Sequence, residues 1–173
     1  MFQIGDKVVH NEFGICRVTG ISCRKFPGQE QQDYYEISPL SDDGYGTRLY
    51  VSVNKNDRLR EPMTREQILE MIDAMPQTDP LVLPSTGNRV LDMENAKAAY
   101  KSLLHSCDPR DRVILLRTIH QKSEKLSAQK KKIAEFEVNA RNNSERLLYG
   151  EIAAVMDIPA KDVEKFITER IEG

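Results

Sequence analysis

Cysteine is scarce: Cys16, Cys23 and Cys107 are the only three in 173 residues. Their odd number, and the lack of any CxxC or Cys/His spacing, indicate neither a disulfide frame nor a four-ligand zinc site, so all three read as reduced, small apolar side chains. Long apolar runs are missing too, since none approaches the roughly 20 residues that cross a bilayer. The opening Met1-Phe2-Gln3-Ile4-Gly5-Asp6-Lys7 has neither the basic nor the apolar region of a secretory leader. A cytoplasmic protein without a membrane partner is expected. Catalytic patterns are equally thin. Gly44-Tyr45-Gly46 is not followed by Gly-Lys-Ser/Thr and reads as a hairpin turn. His10, His105 and His120 lack a nearby nucleophile or a paired-carboxylate pattern. No catalysis, metal, cofactor or small-molecule substrate is expected.

What the chain does have is segregated charge. The net charge is only -2, yet residues 97–132 hold 10 Lys+Arg against 3 Asp+Glu. Residues 1–84 hold 9 against 13, and residues 133–173 hold 5 against 9. A basic block between acidic flanks repels itself unless a polyanion neutralises it, which points to phosphates.

Short β segments fill the first sixty positions: Lys7-Val8-Val9-His10, Ile15 to Ile21, Asp33 to Ile37, and Arg48 to Val53. Turn residues separate them at Asn11 and Gly14, at Pro27-Gly28, and at Asp42-Asp43-Gly44-Tyr45-Gly46. Such close spacing predicts a small, strongly bent antiparallel sheet or barrel. Thr64 with Gln67 three residues on forms a capping box for a helix bearing Ile68, Leu69, Ile72 and Met75 on one face. Pro76, Pro80, Pro84 and Gly87 then mark a linker over residues 76–91.

Beyond the linker the pattern is helical. Met93, Ala96, Tyr100, Leu103 and Leu104 fall at helical spacing, and Asp108-Pro109 supplies an N-cap and first-turn proline for a helix with Val113, Leu116 and Ile119 inward. A break at Leu126-Ser127 is expected to start a long polar helix, placing Lys130-Lys131-Lys132 at an N-terminus whose free N–H groups favour an anion. Pro159 opens a last helix carrying Val163, Phe166 and Ile167. The fold class is therefore α+β: residues 1–75 as a β domain with one helix, 76–91 as linker, and 92–173 as a helical domain.

Three groups of residues then resemble one family. Phe2-Gln3-Ile4-Gly5-Asp6-Lys7-Val8-Val9, Gly14, and Leu49-Tyr50-Val51-Ser52-Val53-Asn54-Lys55 with Leu59-Arg60 are similar to the N-terminal domain of the CarD family, a module also found in the transcription-repair coupling factor. Ala98-Ala99-Tyr100 to Ser106-Cys107-Asp108, Leu126 to Lys132, and Leu147-Leu148-Tyr149-Gly150-Glu151-Ile152-Ala153 are similar to its helical C-terminal domain. The resemblance implies a Tudor-like sheet that pairs its edge with the β subunit of bacterial RNA polymerase. It also implies a helical domain that touches promoter DNA, with little sequence preference, at the upstream edge of the bubble and modulates open-complex stability.

By the same resemblance Arg24 stands at a polymerase-contacting arginine. The second contact arginine falls at Tyr50, and Arg48, two residues away, is a candidate to substitute for it. The family's wedge tryptophan falls at Met93, near Leu91; this chain has no Trp, so Met93 is either an apolar wedge or the first core residue of its helix. Lys97 and Lys101, four apart on one helix face, and Lys130, Lys131 and Lys132 are the candidate phosphate contacts, with Lys131 matching a family DNA-contacting lysine. Nucleoid association through the polymerase follows from these partners. Two other readings stay open. One is a polymerase-binding adaptor without useful DNA contact. The other is a helix-turn-helix over Gly150 to Ile167, whose second helix carries no net positive charge.

Overall fold

Apolar residues at alternating positions carry the first sixty residues into strands. The computed structural model describes residues 1–40, 46–55 and 57–173, and contains β1 (Lys7–His10), β2 (Gly14–Arg24), β3 (Gln32–Pro39), β4 (Leu49–Ser52) and β5 (Leu59–Arg60). These form one antiparallel sheet in the order β4-β3-β2-β1-β5. β5, at two residues, is too short to announce itself by alternation. The turn expected over Asp42 to Gly46 lies, except for Gly46, outside the described residues.

The sheet bends at one place with a clear cause. Val18 pairs with Ile37 and Gly20 with Glu36, leaving Thr19 as an extra residue in β2. Such a bulge sharpens the local twist. One sheet face buries Val8, Cys16, Val18, Tyr35, Ile37 and Val51, each fully buried apolar side chain adding about 1.5–3 kcal/mol of transfer free energy.

Five helices follow: α1 (Arg65–Ala74), α2 (Arg89–His105), α3 (Pro109–Ala128), α4 (Glu135–Met156) and α5 (Val163–Glu172). The chain is thus α+β, with a β domain first and a helical region after it. Local capping chemistry sets the starts of α1 and α3. Thr64 Oγ1 accepts from the Gln67 amide at 3.2 Å while the Gln67 side chain accepts from the Thr64 amide at 2.9 Å. Asp108 accepts from the Arg110 amide at 2.9 Å, with Pro109 in the first turn of α3.

Packing assigns α1 to the helices. Ile68 and Ile72 are fully buried among Val113 of α3, Leu148 and Ile152 of α4, and Val163 and Ile167 of α5. The proline-rich stretch is held as well: Leu81 and Leu83 pack beside Tyr100, Leu115 and Ile119, and the Leu81 amide donates to Thr118 Oγ1 at 2.8 Å.

The lysine run differs from its expected setting. α3 continues through Leu126-Ser127 to Ala128, and Lys130 takes a left-handed conformation, φ 58°. The Lys131 amide donates to Leu126 O at 2.8 Å, closing a C-terminal cap. Lys130, Lys131 and Lys132 therefore follow a helix C-terminus, where the carbonyl end favours cations; no helix N-terminus lies there, and α4 starts only at Glu135.

Candidate protein and nucleic-acid interfaces

Antiparallel register brings three of the sequence-predicted residues around one carboxylate. Glu36 of β3 lies opposite Tyr50 of β4 and Gly20 of β2. Arg24, the last residue of β2, reaches back with Nη2 to Glu36 Oε1 at 2.8 Å and with Nε to Ser22 Oγ at 2.9 Å. The Ser22 hydroxyl donates to the same Glu36 oxygen at 2.6 Å. Arg48, just before β4, stands 3.9 Å from Glu36 Oε2. The Arg24 guanidinium lies 4.4 Å from the centre of the Tyr50 ring, a cation–π distance.

Ser22's hydroxyl, then Arg24, hold the Glu36 carboxyl below the usual carboxylate range. Glu36 is thus an ionised anchor, 14% exposed, beneath an Arg24 that is 41% exposed. The aromatic rings continue the patch: Phe26 meets Tyr34 at 4.9 Å and Tyr50 at 5.8 Å between centroids. A planar guanidinium, pre-aimed by a carboxylate and an aromatic face, loses little rotamer freedom when it meets a partner. Sequence reasoning found the cations and missed Glu36, since only the register reveals that one acid serves both.

The second group sits at one end of the helical bundle. Asn88 caps α2 by accepting from the Val90 and Leu91 amides. Asp92 accepts from the Thr86 hydroxyl at 2.6 Å, the Thr86 amide at 2.7 Å and the Ser85 hydroxyl at 2.8 Å. The Thr86 and Ser85 bonds lower the Asp92 pKa and clamp the segment entering the helix. Val90, Leu91 and Met93 remain 66%, 48% and 40% exposed. Met93 is therefore no core residue, and Ala96 and Tyr100 take that role.

Lys97 pairs with Glu94 at 3.1 Å and lies 5.7 Å from the Phe136 ring, joining the first half of α2 to the first turn of α4 just beyond Lys132. Lys101 follows one turn later, lining with Lys97 a cleft of about 350 Å³ against Asn139 and Asn143. Lys130, Lys131 and Lys132 are exposed in the connection between α3 and α4. Other cations of the basic block serve the fold. Lys122 binds the buried Glu137 at 2.6 Å, Arg117 donates to the carbonyls of Thr78 and Pro76, and Arg112 is 2% exposed. On α5, Lys165 pairs with Glu169 and Arg170 with Asp73.

A bent five-stranded sheet with an arginine–aromatic face is joined to a helical region that carries exposed lysines. Residues 2–63 match the family model of the CarD-like/TRCF RID domain, an RNA polymerase-interacting domain family. The match ends one residue before the α1 cap, so it covers the sheet and the whole Arg24–Glu36–Arg48–Tyr50 cluster. No curated protein matches the chain. Among the described residues no helix is long and apolar enough to cross a membrane.

Proposed function

We propose that the protein is a non-enzymatic bacterial transcription regulator that holds the β subunit of RNA polymerase with its sheet and promoter DNA with its helical region. The observation that carries the reading is the Arg24–Glu36–Arg48–Tyr50 cluster inside the RID segment. Arg24 and Arg48 are the contact cations, Tyr50 extends the face, and Glu36 aims both arginines. The test is a titration of Arg24→Glu against the isolated β-subunit lobe. Reversing one desolvated interface charge costs on the order of 2 kcal/mol or more; unchanged affinity removes the assignment.

On the DNA side, Lys97, Lys101, Lys130, Lys131 and Lys132 contact phosphates and Met93 adds an apolar contact near the unpaired edge. The exposure of Met93 beside Val90 and Leu91 supports this, because wedging between base steps needs an apolar side chain that is not consumed by the core. In the cell the regulator is cytoplasmic, follows the polymerase to the nucleoid and changes the stability of the open complex. Met93→Ala is expected to shorten open-complex lifetime in a competitor-challenge assay with purified polymerase, while leaving the salt dependence of DNA binding unchanged, since a wedge carries no charge.

A further inference from the structure

The β domain and the helical region meet through a polar junction. Arg60 of β5 places Nη1 2.6 Å from Glu151 Oε1 and Nη2 2.5 Å from Glu151 Oε2, a two-pronged fork, and its Nε donates to Cys107 O. Glu151 of α4, 1% exposed, also accepts from the Met63 amide at 2.8 Å. Every one of these Glu151 bonds comes from residues 60–63, about ninety positions earlier in the chain. The β1–β2 turn also packs against the helical region. The Asn11 side chain donates to His105 O at 2.8 Å, and Arg112 Nη2 donates to Asn11 O at 2.9 Å. Gly14, at φ +71°, approaches so closely that an added Cβ would lie 3.3 Å from Leu147 Cδ2.

This seam is not arranged for maximum stability. Arg112 is 2% exposed, yet among the described residues its Nε and Nη1 have no hydrogen-bond partner, nor does Asn11 Oδ1. Burial, with Arg60 nearby, pushes the Arg112 pKa down. Well-packed apolar residues would hold two domains together as firmly or more so, because desolvating an ion pair consumes most of its attraction. What a fork adds is direction, since a planar guanidinium on a carboxylate fixes both distance and angle.

We propose that Glu151 and Arg60 are positioning residues that fix the orientation of the polymerase-contacting sheet relative to the basic end of the helical bundle, so that binding polymerase presents Lys97 and Lys131 to DNA at one angle. The assignment rests on the two-partner reading above. It predicts that the pair matters only when both partners are engaged, because a rigid connection turns the second contact into an intramolecular event with a high effective concentration.

Two substitutions in the full-length protein test it. Glu151→Gln keeps the volume and the acceptor for Met63 but removes the charge; Arg60→Lys, on the less buried side of the pair, keeps the charge but removes the fork. Residual dipolar couplings read the orientation directly. The wild-type sheet and helices should share one alignment tensor, and the two units should require separate tensors in either variant. Affinity for the isolated β lobe and for forked DNA should each stay within about twofold of wild type, while the gain in DNA affinity conferred by polymerase falls by roughly tenfold or more. A single tensor together with an undiminished gain in both variants overturns the proposal. If wild-type protein binds no DNA, the regulator reading fails on its own, and the dipolar couplings still decide whether Arg60 and Glu151 set the orientation.

Discussion

At the scale of single residues, the side chains that organise this protein are acids and a histidine whose roles depend on distant partners. His10, the last residue of β1, is 4% exposed, with Nδ1 accepting the Glu12 amide at 3.1 Å. Burial pushes its pKa below the ordinary histidine value of about 6.5, with Arg58 acting in the same direction and Glu12 against it. The folded form therefore takes up a proton less readily than the unfolded chain. His10's contribution is complete above pH of about 6.5 and is lost as pH falls from there through the lower folded value. Melting temperature should decline on acidification below that point, and the decline should be shallower in His10→Gln, which retains an acceptor but does not titrate; NMR titration of the His10 ring checks the depressed value directly. Glu36 and Glu151 teach the same lesson about legibility. Arg24 and Arg48 were named through the resemblance to the CarD family, since a surface arginine by itself carries no mark of a contact. The acids that aim or pair with cations became visible only through strand register and through a contact spanning ninety residues.

Elements divide along the same line between local and distant causes. The capping box of Thr64 and Gln67, the Asp108-Pro109 start and four of the five strands were legible because each depends on a handful of neighbouring residues. The end of α3 was not: Leu126-Ser127 looked like a break, but the helix extends to Ala128 and closes through Lys130 in a left-handed conformation usually left to glycine or asparagine. Nor does the pattern of α1 say which core it serves, since an amphipathic stripe names a face without naming its partner. A ten-residue helix is marginal in water without tertiary packing, and the buried Ile68 and Ile72 pack on α3, α4 and α5. Fragments ending at Met63 and at Met75 should therefore give the same sheet resonances in heteronuclear NMR spectra, with residues 64–75 of the longer one near random-coil shifts. Helical shifts for those residues would instead place α1 with the sheet as an independent unit of residues 1–75.

On the scale of the whole molecule, the excess of seven positive charges over residues 97–132 overstates what phosphates can meet. Folding consumes part of it: Arg112 is buried at the seam, Lys122 neutralises the buried Glu137, and Arg117 is spent on two carbonyls. Counting charge along the sequence locates a basic block but cannot sort solvent-facing cations from those tied to buried partners. Lys131 and Lys122 separate the two kinds. If Lys97, Lys101, Lys130, Lys131 and Lys132 each neutralise one phosphate, log affinity for a forked duplex should fall against log salt with a slope of about -4 to -5. Lys131→Ala should weaken binding about equally for unrelated sequences and make that slope shallower by about one, with the melting temperature unchanged. Lys122→Ala should do the reverse. Among the described residues it leaves Glu137, 1% exposed at the side chain, with the Tyr100 hydroxyl at 3.4 Å and the Ala134 amide at 2.9 Å, so stability drops while the slope stays where it was. Fluorescence anisotropy between about 50 and 200 mM salt, paired with thermal unfolding of the same samples, reads both quantities. A slope unchanged by Lys131→Ala would make the exposed lysines a solvated face and leave the polymerase contact as the protein's only binding surface.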